Sequence, residues 1–170
     1  MGNDYSVLIN VDHTEGKFTV RQIDFFSKME LMELCGWSIQ IFKKLIPDKT
    51  MVDMIGVGAG VHDRLKEQGF PVVGVNVAEA PCRNAEDFKN KKAEMYWNLR
   101  GLFERQEIII PKIPHHTKLQ AELSAMKYKY DSSGKLQIVD PEKSPDFADA
   151  LALACYGPII SARVPGVVMF

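Results

Sequence analysis

The sequence predicts an α/β protein: a mixed β-sheet flanked by helices on both faces. Three observations carry that expectation. Residues 5–25 read as an antiparallel hairpin, with YSVLINV, the turn HTEG and the alternating KFTVRQIDFF in succession. Residues 50–77 read as strand, helix, strand, a βαβ unit whose two strands run parallel. Helical patterns before and after that unit supply cover for two faces of a sheet.

The elements follow in order. After the hairpin, residues 28–46 place Leu31, Leu34, Trp37, Ile41 and Leu45 at helical spacing, with Gly36 as a local weakness. TMVDMIGVGAG is a short apolar strand running into glycines, and VHDRLKEQG is a helix ended by Gly69. PVVGVNV is a second buried strand, and residues 78–85 are a loop. Residues 86–106 form a long helix with Phe88, Met95, Trp97, Leu99 and Phe103 in partial stripes. EIIIPKIP is extended, HTKLQAELSAM is helical, and residues 127–140 form a hairpin around Ser-Ser-Gly. Ser144 as cap, Pro145 and Asp146 then start a helix that turns small and apolar from Ala150 to Ala154. The tail, YGPIISARVPGVVMF, ends in an apolar run without a recognisable pattern. No internal repeat or linker interrupts the chain, so residues 1–170 read as one domain.

Composition narrows the classes. A chain of 170 residues that is 46% hydrophobic can bury a sizeable core. Lys+Arg of 21 against Asp+Glu of 22 gives no bulk attraction to nucleic acid, though it permits a local basic surface. Three cysteines, with no CxxC pair, read as reduced thiols of an intracellular protein. The start MGNDYSVLIN lacks the basic segment and apolar run of a signal peptide, and no stretch reaches the ~20 apolar residues of a membrane span.

Five features invite chemistry, and each also has a plain structural reading. Asp53 interrupts an apolar strand. It either faces outward and caps the following turn, or projects from the carboxyl end of a parallel strand, where α/β sheets place ligands. Gly56, Gly58 and Gly60 form GxGxG, which is neither the dinucleotide fingerprint nor a phosphate loop, so a tight strand-to-helix connection is the simpler reading. His115 and His116 are adjacent and point apart, which suits a solvated loop better than a metal pair. Asp146 and Asp149 lie three apart at a helix start, so they share a face. Acids there compensate the helix dipole, but Asp149 precedes residues too small and apolar for a solvated face. A carboxylate facing a sheet needs a cation. With Asp53 the pair would complete a hard oxygen cluster for Mg²⁺ or Mn²⁺, suited to in-line attack on a phosphodiester. Lys89, Lys91, Lys92, Arg100 and Arg105 lie along one helix among Tyr96 and Trp97. That is either a solvated face or a surface that meets phosphates.

Three pieces, in order, resemble the nuclease domain of phage large terminases, an RNase H-like fold. They are MVDMIGVGAGVHDRL (51–65), FKNKKAEMYWNLRGLF (88–103) and SPDFADALALA (144–154), the last following the DSSGKLQI hairpin. The resemblance spans more than half of the chain. It implies a two-metal endonuclease that cuts concatemeric double-stranded DNA during genome packaging, in the cytoplasm of a bacterial host. It also implies the small terminase subunit and the portal protein as partners. In this family one acid comes from the first strand, one from the fourth and one from a late helix. Asp53 matches the fourth-strand acid and Asp146 the helix acid. Asp149 also fits, because related Holliday-junction resolvases carry an acid pair at this spacing. Asp53, Asp146 and Asp149 are therefore the expected catalytic and metal-binding residues, and Lys89, Lys91, Lys92 and Arg100 the expected DNA contacts.

The chain departs from that pattern in three ways. The family's first strand, with its own Asp, normally precedes a turn like Gly2-Asn3-Asp4, so that strand is expected to be missing here. Neither Asp4 nor Asp12 occupies the matching position. Only VDPEK separates the late hairpin from Ser-Pro-Asp, where the family has a longer basic segment, and there is no Walker A motif for an ATPase motor. A missing central strand would bare a sheet edge and favour pairing between copies. A non-catalytic prophage remnant or assembly module that keeps the fold is the alternative expectation.

Overall fold

A computed structural model describes residues 5–27, 29–160 and 167–169. The hairpin is formed by β1 (Tyr5–Thr14) and β2 (Lys17–Ser27), antiparallel with a bulge between Asn10 and Val11. Its turn puts Glu15 and Gly16 at positive φ, 51° and 77°. Helix α1 (Leu31–Leu45) follows, then the βαβ unit of β3 (Thr50–Asp53), α2 (Gly58–Glu67) and β4 (Val72–Val75). Strands β3 and β4 are parallel, as their connection requires.

Helix α3 (Lys91–Glu104) is shorter than the sequence suggests. Residues 86–90 give their backbone to the late hairpin instead: Lys89 N–H donates to Leu136 O, and Leu136 N–H donates to Asp87 O. The Asn90 side chain then accepts from Ala93 N–H at 3.0 Å and starts the helix. Next come β5 (Ile108–Ile109), parallel to β2, and α4 (His116–Ala125). The hairpin of β6 (Lys127–Tyr130) and β7 (Leu136–Val139) stands apart as a two-stranded sheet. Helix α5 (Asp146–Ile160) and β8 (Val167–Met169) complete the described chain.

The main sheet runs β4-β3-β8-β1-β2-β5. The apolar tail, unplaced from sequence, thus supplies a central strand. Val167–Met169 pair antiparallel with Val11–Ile9 of β1, while Val168 and Met169 pair parallel with Thr50 and Met51 of β3. The edge expected to be bare at the centre of the sheet is covered over that short length. Asp4 and residues 161–166 of the tail lie outside the described residues.

Helices pack on both faces, and β1 shows why its burial does not simply alternate. Leu8 packs with Leu34, Cys35, Ile41 and Phe42 of α1 and Val61 and Leu65 of α2. Val7, Ile9 and Val11 point the other way, toward Met95 and Leu99 of α3 and the apolar face of α5. Helix α5 is buried nearly all round its first three turns: Phe147, Ala148 and Ala150 to Tyr156 have almost no exposure. Its alanines let it lie close on the sheet, and Asp149 is the one charged side chain in that run.

Candidate functional site

Asp53 closes β3. Its Oδ1 accepts the Ile55 N–H at 3.0 Å, holding the turn that leads into α2. Its main-chain carbonyl touches α2: a Cβ at Gly58 would lie 1.7 Å from that oxygen. Together with Gly56 at φ +67°, this makes GVGAG a tight strand-to-helix connection.

Asp146 opens α5. Its Oδ2 accepts the Tyr5 N–H at 2.8 Å, tying the helix start to the first residue of β1. Its Oδ1 accepts the Ser144 hydroxyl at 2.5 Å. Ser144 therefore does not cap the helix, as the sequence suggested. Glu122 of α4 does so instead: its Oε2 accepts Phe147 N–H at 2.7 Å and Ala148 N–H at 3.0 Å. A longer side chain from a neighbouring helix reaches both free N–H groups, while the serine is spent on Asp146.

Asp149 sits one turn deeper. Tyr96 donates its hydroxyl to Oδ1 at 2.6 Å, and Lys92 Nζ lies 3.2 Å from Oδ2. Lys92 also lies 2.6 Å from Oδ1 of Asp140, just past β7. Lys92 and Tyr96 are four apart on α3, so one face of that helix presents an ammonium and a phenol to one carboxylate.

Burial raises the pKa of Asp149, opposed by Lys92 and Tyr96. Burial also raises that of Asp53; the Ile55 N–H opposes it and the Asp149 charge adds to it. Glu122 is raised as well, by burial despite its two backbone donors, with Asp146 and Asp149 adding repulsion. Burial works against the charge of Lys92, but Asp149 and Asp140 outweigh it and raise its pKa. The site is thus a crowded anionic patch held by one internal cation.

Asp53, Asp146 and Asp149 all line one cleft of about 690 Å³. Its other walls include Tyr5, Ser6 and Val7 at the start of β1, Val52 of β3, Gly58 and Val61 of α2, and Lys92 and Met95 of α3. The cleft opens between β1 and β3 beyond the three residues that β8 pairs. The donor set suits a hard divalent ion in kind, being oxygen only and crowded with negative charge. Among the described residues, however, no group of three or more His, Cys, Asp or Glu side chains is gathered to hold a metal ion.

The remaining candidates divide. Lys91 is paired with Glu79 at 3.0 Å and Arg100 with Glu104 at 2.8 Å. Lys89 reaches Gln137 of the late hairpin at 3.1 Å. His115 packs edge-on against Phe25, and His116 Nδ1 meets Ile113 O at 2.7 Å, so the pair is used in shaping the loop before α4. Asp12 is exposed and paired with Arg21 at 2.7 Å. Sequence reasoning missed the roles of Tyr96, Asp140 and Glu122 at the site. The four-residue spacing of Lys92 and Tyr96 is the one signal that could have exposed the first.

No protein-family model matches the chain, and no curated protein sequence matches it. Its fold does match solved structures. One is a variant nuclease domain of the large terminase subunit gp2 of bacterial virus Sf6 with manganese and β-thujaplicinol. The TM-score is 0.70 at 23% identity, covering 81% of this chain and 76% of that one. The Sf6 nuclease domain in another structure matches at TM-score 0.70 and 20% identity, over 91% of this chain and 89% of that one. The large terminase nuclease of thermophilic phage G20c with bound magnesium matches at 0.69 and 19%, over 92% and 76%. The architecture is therefore that of large-terminase nuclease domains, RNase H-like, as the sequence pieces led one to expect. Among the described residues no helix is long and apolar enough to cross a membrane.

Proposed function

We propose that the chain is a metal-dependent DNA endonuclease of the large-terminase type. Its substrate is concatemeric double-stranded DNA, cut during genome packaging in the cytoplasm of a bacterial host. The small terminase subunit and the portal protein are its assembly partners. The observation that supports this reading is the convergence of Asp53, Asp146 and Asp149 on one cleft from the end of β3 and the start of α5.

In this reading those three carboxylates hold Mg²⁺ or Mn²⁺. Such ions, when bound, would supply water activation and stabilisation of the leaving oxygen, so no general-base side chain would be required. The chain's own residues hold the ligands. Tyr5 N–H and Ser144 fix Asp146, the Ile55 N–H fixes Asp53, and Tyr96 fixes one oxygen of Asp149. Lys92 keeps a second anchor on Asp140, so it can yield Asp149 to a ligand without leaving a carboxylate.

The test is nicking of supercoiled plasmid in Mn²⁺ by the wild type and by Asp146→Ala. Nicking that falls at least ~100-fold supports the assignment, since a metal ligand carries several kcal/mol of transition-state stabilisation. Nicking that survives the change removes Asp146 from the site. The absence of a gathered three-ligand group among the described residues favours a second reading, a non-catalytic assembly module. Calorimetric titration separates the two: Mn²⁺ heat that disappears in Asp146→Ala supports the nuclease, and no heat in the wild type supports the module.

A further inference from the structure

The late hairpin begins at the candidate site and leads away from it. Asp140, which meets Lys92, directly follows Val139, and Val139 pairs with Lys127. Strand β6 therefore starts beside the cleft and runs outward as Lys127, Tyr128, Lys129, Tyr130. Among the described residues it pairs only with β7, which leaves its other edge open. All four side chains are exposed, the two tyrosines at 49% and 61%. Alternation places both rings on one face of the strand and both ammonium groups on the other.

The rings do not hang alone. Tyr128 packs edge-on against Trp97 at 5.6 Å and against Tyr130 at 6.1 Å. The Arg100 guanidinium lies 4.5 Å from the Trp97 ring centroid and 5.7 Å from that of Tyr128. Trp97 and Arg100 thus brace an aromatic ledge that the hairpin core leaves open to solvent. Lys127 and Lys129 pair with no carboxylate among the described residues. Unpaired cations along one face and half-exposed rings along the other, with the open edge of β6 between them, match a polymer that lies along that edge with charge on one side and flat apolar groups on the other. Same-face side chains on a strand lie roughly 6.6 Å apart, close to the step between unstacked bases on an extended strand. A flat duplex offers no free base faces to such a ledge.

We propose that β6 is a binding track for an unpaired strand of DNA, with bases stacking on Tyr128 and Tyr130 and phosphates meeting Lys127 and Lys129. This rests on the nuclease reading for its choice of nucleic acid. It adds that the strand entering or leaving the cleft is single there.

The experiment is fluorescence anisotropy in EDTA, with a labelled 15-nucleotide oligothymidylate and a 15-base-pair duplex as probes. The wild type binds the single strand more tightly than the duplex. Y128A/Y130A weakens single-strand binding by about tenfold for each ring and leaves the duplex within twofold. Y128F/Y130F, which keeps the rings, restores binding. K127A/K129A weakens both probes and lowers the single-strand salt slope by about 1.4. Matching thermal melts confirm that each variant is folded. Unchanged single-strand binding in Y128A/Y130A overturns the proposal, as does a wild type that prefers the duplex. So does a wild type that ignores both probes while Y128A/Y130A alters its sedimentation, because that assigns the ledge to a second copy of the chain. Plasmid nicking and Mn²⁺ calorimetry report on the carboxylates independently. Tyrosine-dependent single-strand binding without nicking would retire the nuclease reading and keep the track.

Discussion

The Tyr96 hydroxyl donates to Asp149 Oδ1 at 2.6 Å, joining residues 53 positions apart. It gives the one carboxylate embedded in the apolar turns of α5 a neutral partner besides Lys92. Tyr96→Phe should cost about 1.5–3 kcal/mol of stability, the range for a hydrogen bond to a charged acceptor. Urea unfolding checks it, and an unchanged midpoint would mean that water replaces the phenol.

Glu122 caps α5 from α4, and the two N–H groups it accepts lie between Asp146 and Asp149 in the chain. Glu122→Ala should cost about 1–2 kcal/mol, as for loss of an N-cap. Glu122→Gln keeps an acceptor and should lose less than half as much. If the helix start positions the acids, Mn²⁺-dependent nicking falls in Glu122→Ala more than in Glu122→Gln.

Two glycines should respond in opposite directions. A Cβ at Gly58 collides with the backbone of Asp53, so Gly58→Ala must push α2 off the end of β3. We expect a loss of more than about 3 kcal/mol, or insoluble protein. Gly36 is exposed within α1, and a Cβ there meets nothing within 4 Å. Gly36→Ala should raise stability by about 0.5–1 kcal/mol. Thermal melting of the two variants decides both.

Glu94 is buried on α3 and accepts the N–H groups of Cys82, Arg83 and Asn84 as well as the Tyr156 hydroxyl. Burial works against its charge, but these four donors outweigh it and hold its pKa below the ordinary 4.5. A depressed carboxylate contributes stability that is complete above the unfolded pKa and is lost as pH falls through the folded one. Glu94→Gln should therefore be clearly less stable than wild type at pH 7. The gap should close progressively below about pH 4.5 in denaturant titrations at stepped pH. A gap independent of pH would place the effect in packing rather than in the charge.

Much of the fold is legible because it is local. The alternation in residues 5–25, the apolar spacing of α1 and the glycines after β3 each act within a few residues, and each became the expected element. That Asp53, Asp146 and Asp149 could line one cleft was also readable, since α/β sheets place ligand sites at the carboxyl ends of their parallel strands. The start of α3 was not readable. Residues 86–90 are helix-compatible, and only their backbone pairing with Leu136, far along the chain, withholds them.

The sequence by itself determined the hairpin, the parallel unit, the helix faces and which acids could share a cleft, because periodicity and turn chemistry act over a few residues. Only the tertiary structure decided that Val167–Met169 lie between β1 and β3, that Glu122 rather than Ser144 caps α5, and that Lys92 and Tyr96 hold Asp149. Each of these joins residues distant in the chain. The physical reason is that an N–H, a carboxylate or a strand edge accepts whichever partner packing delivers, and packing is a property of the whole sheet.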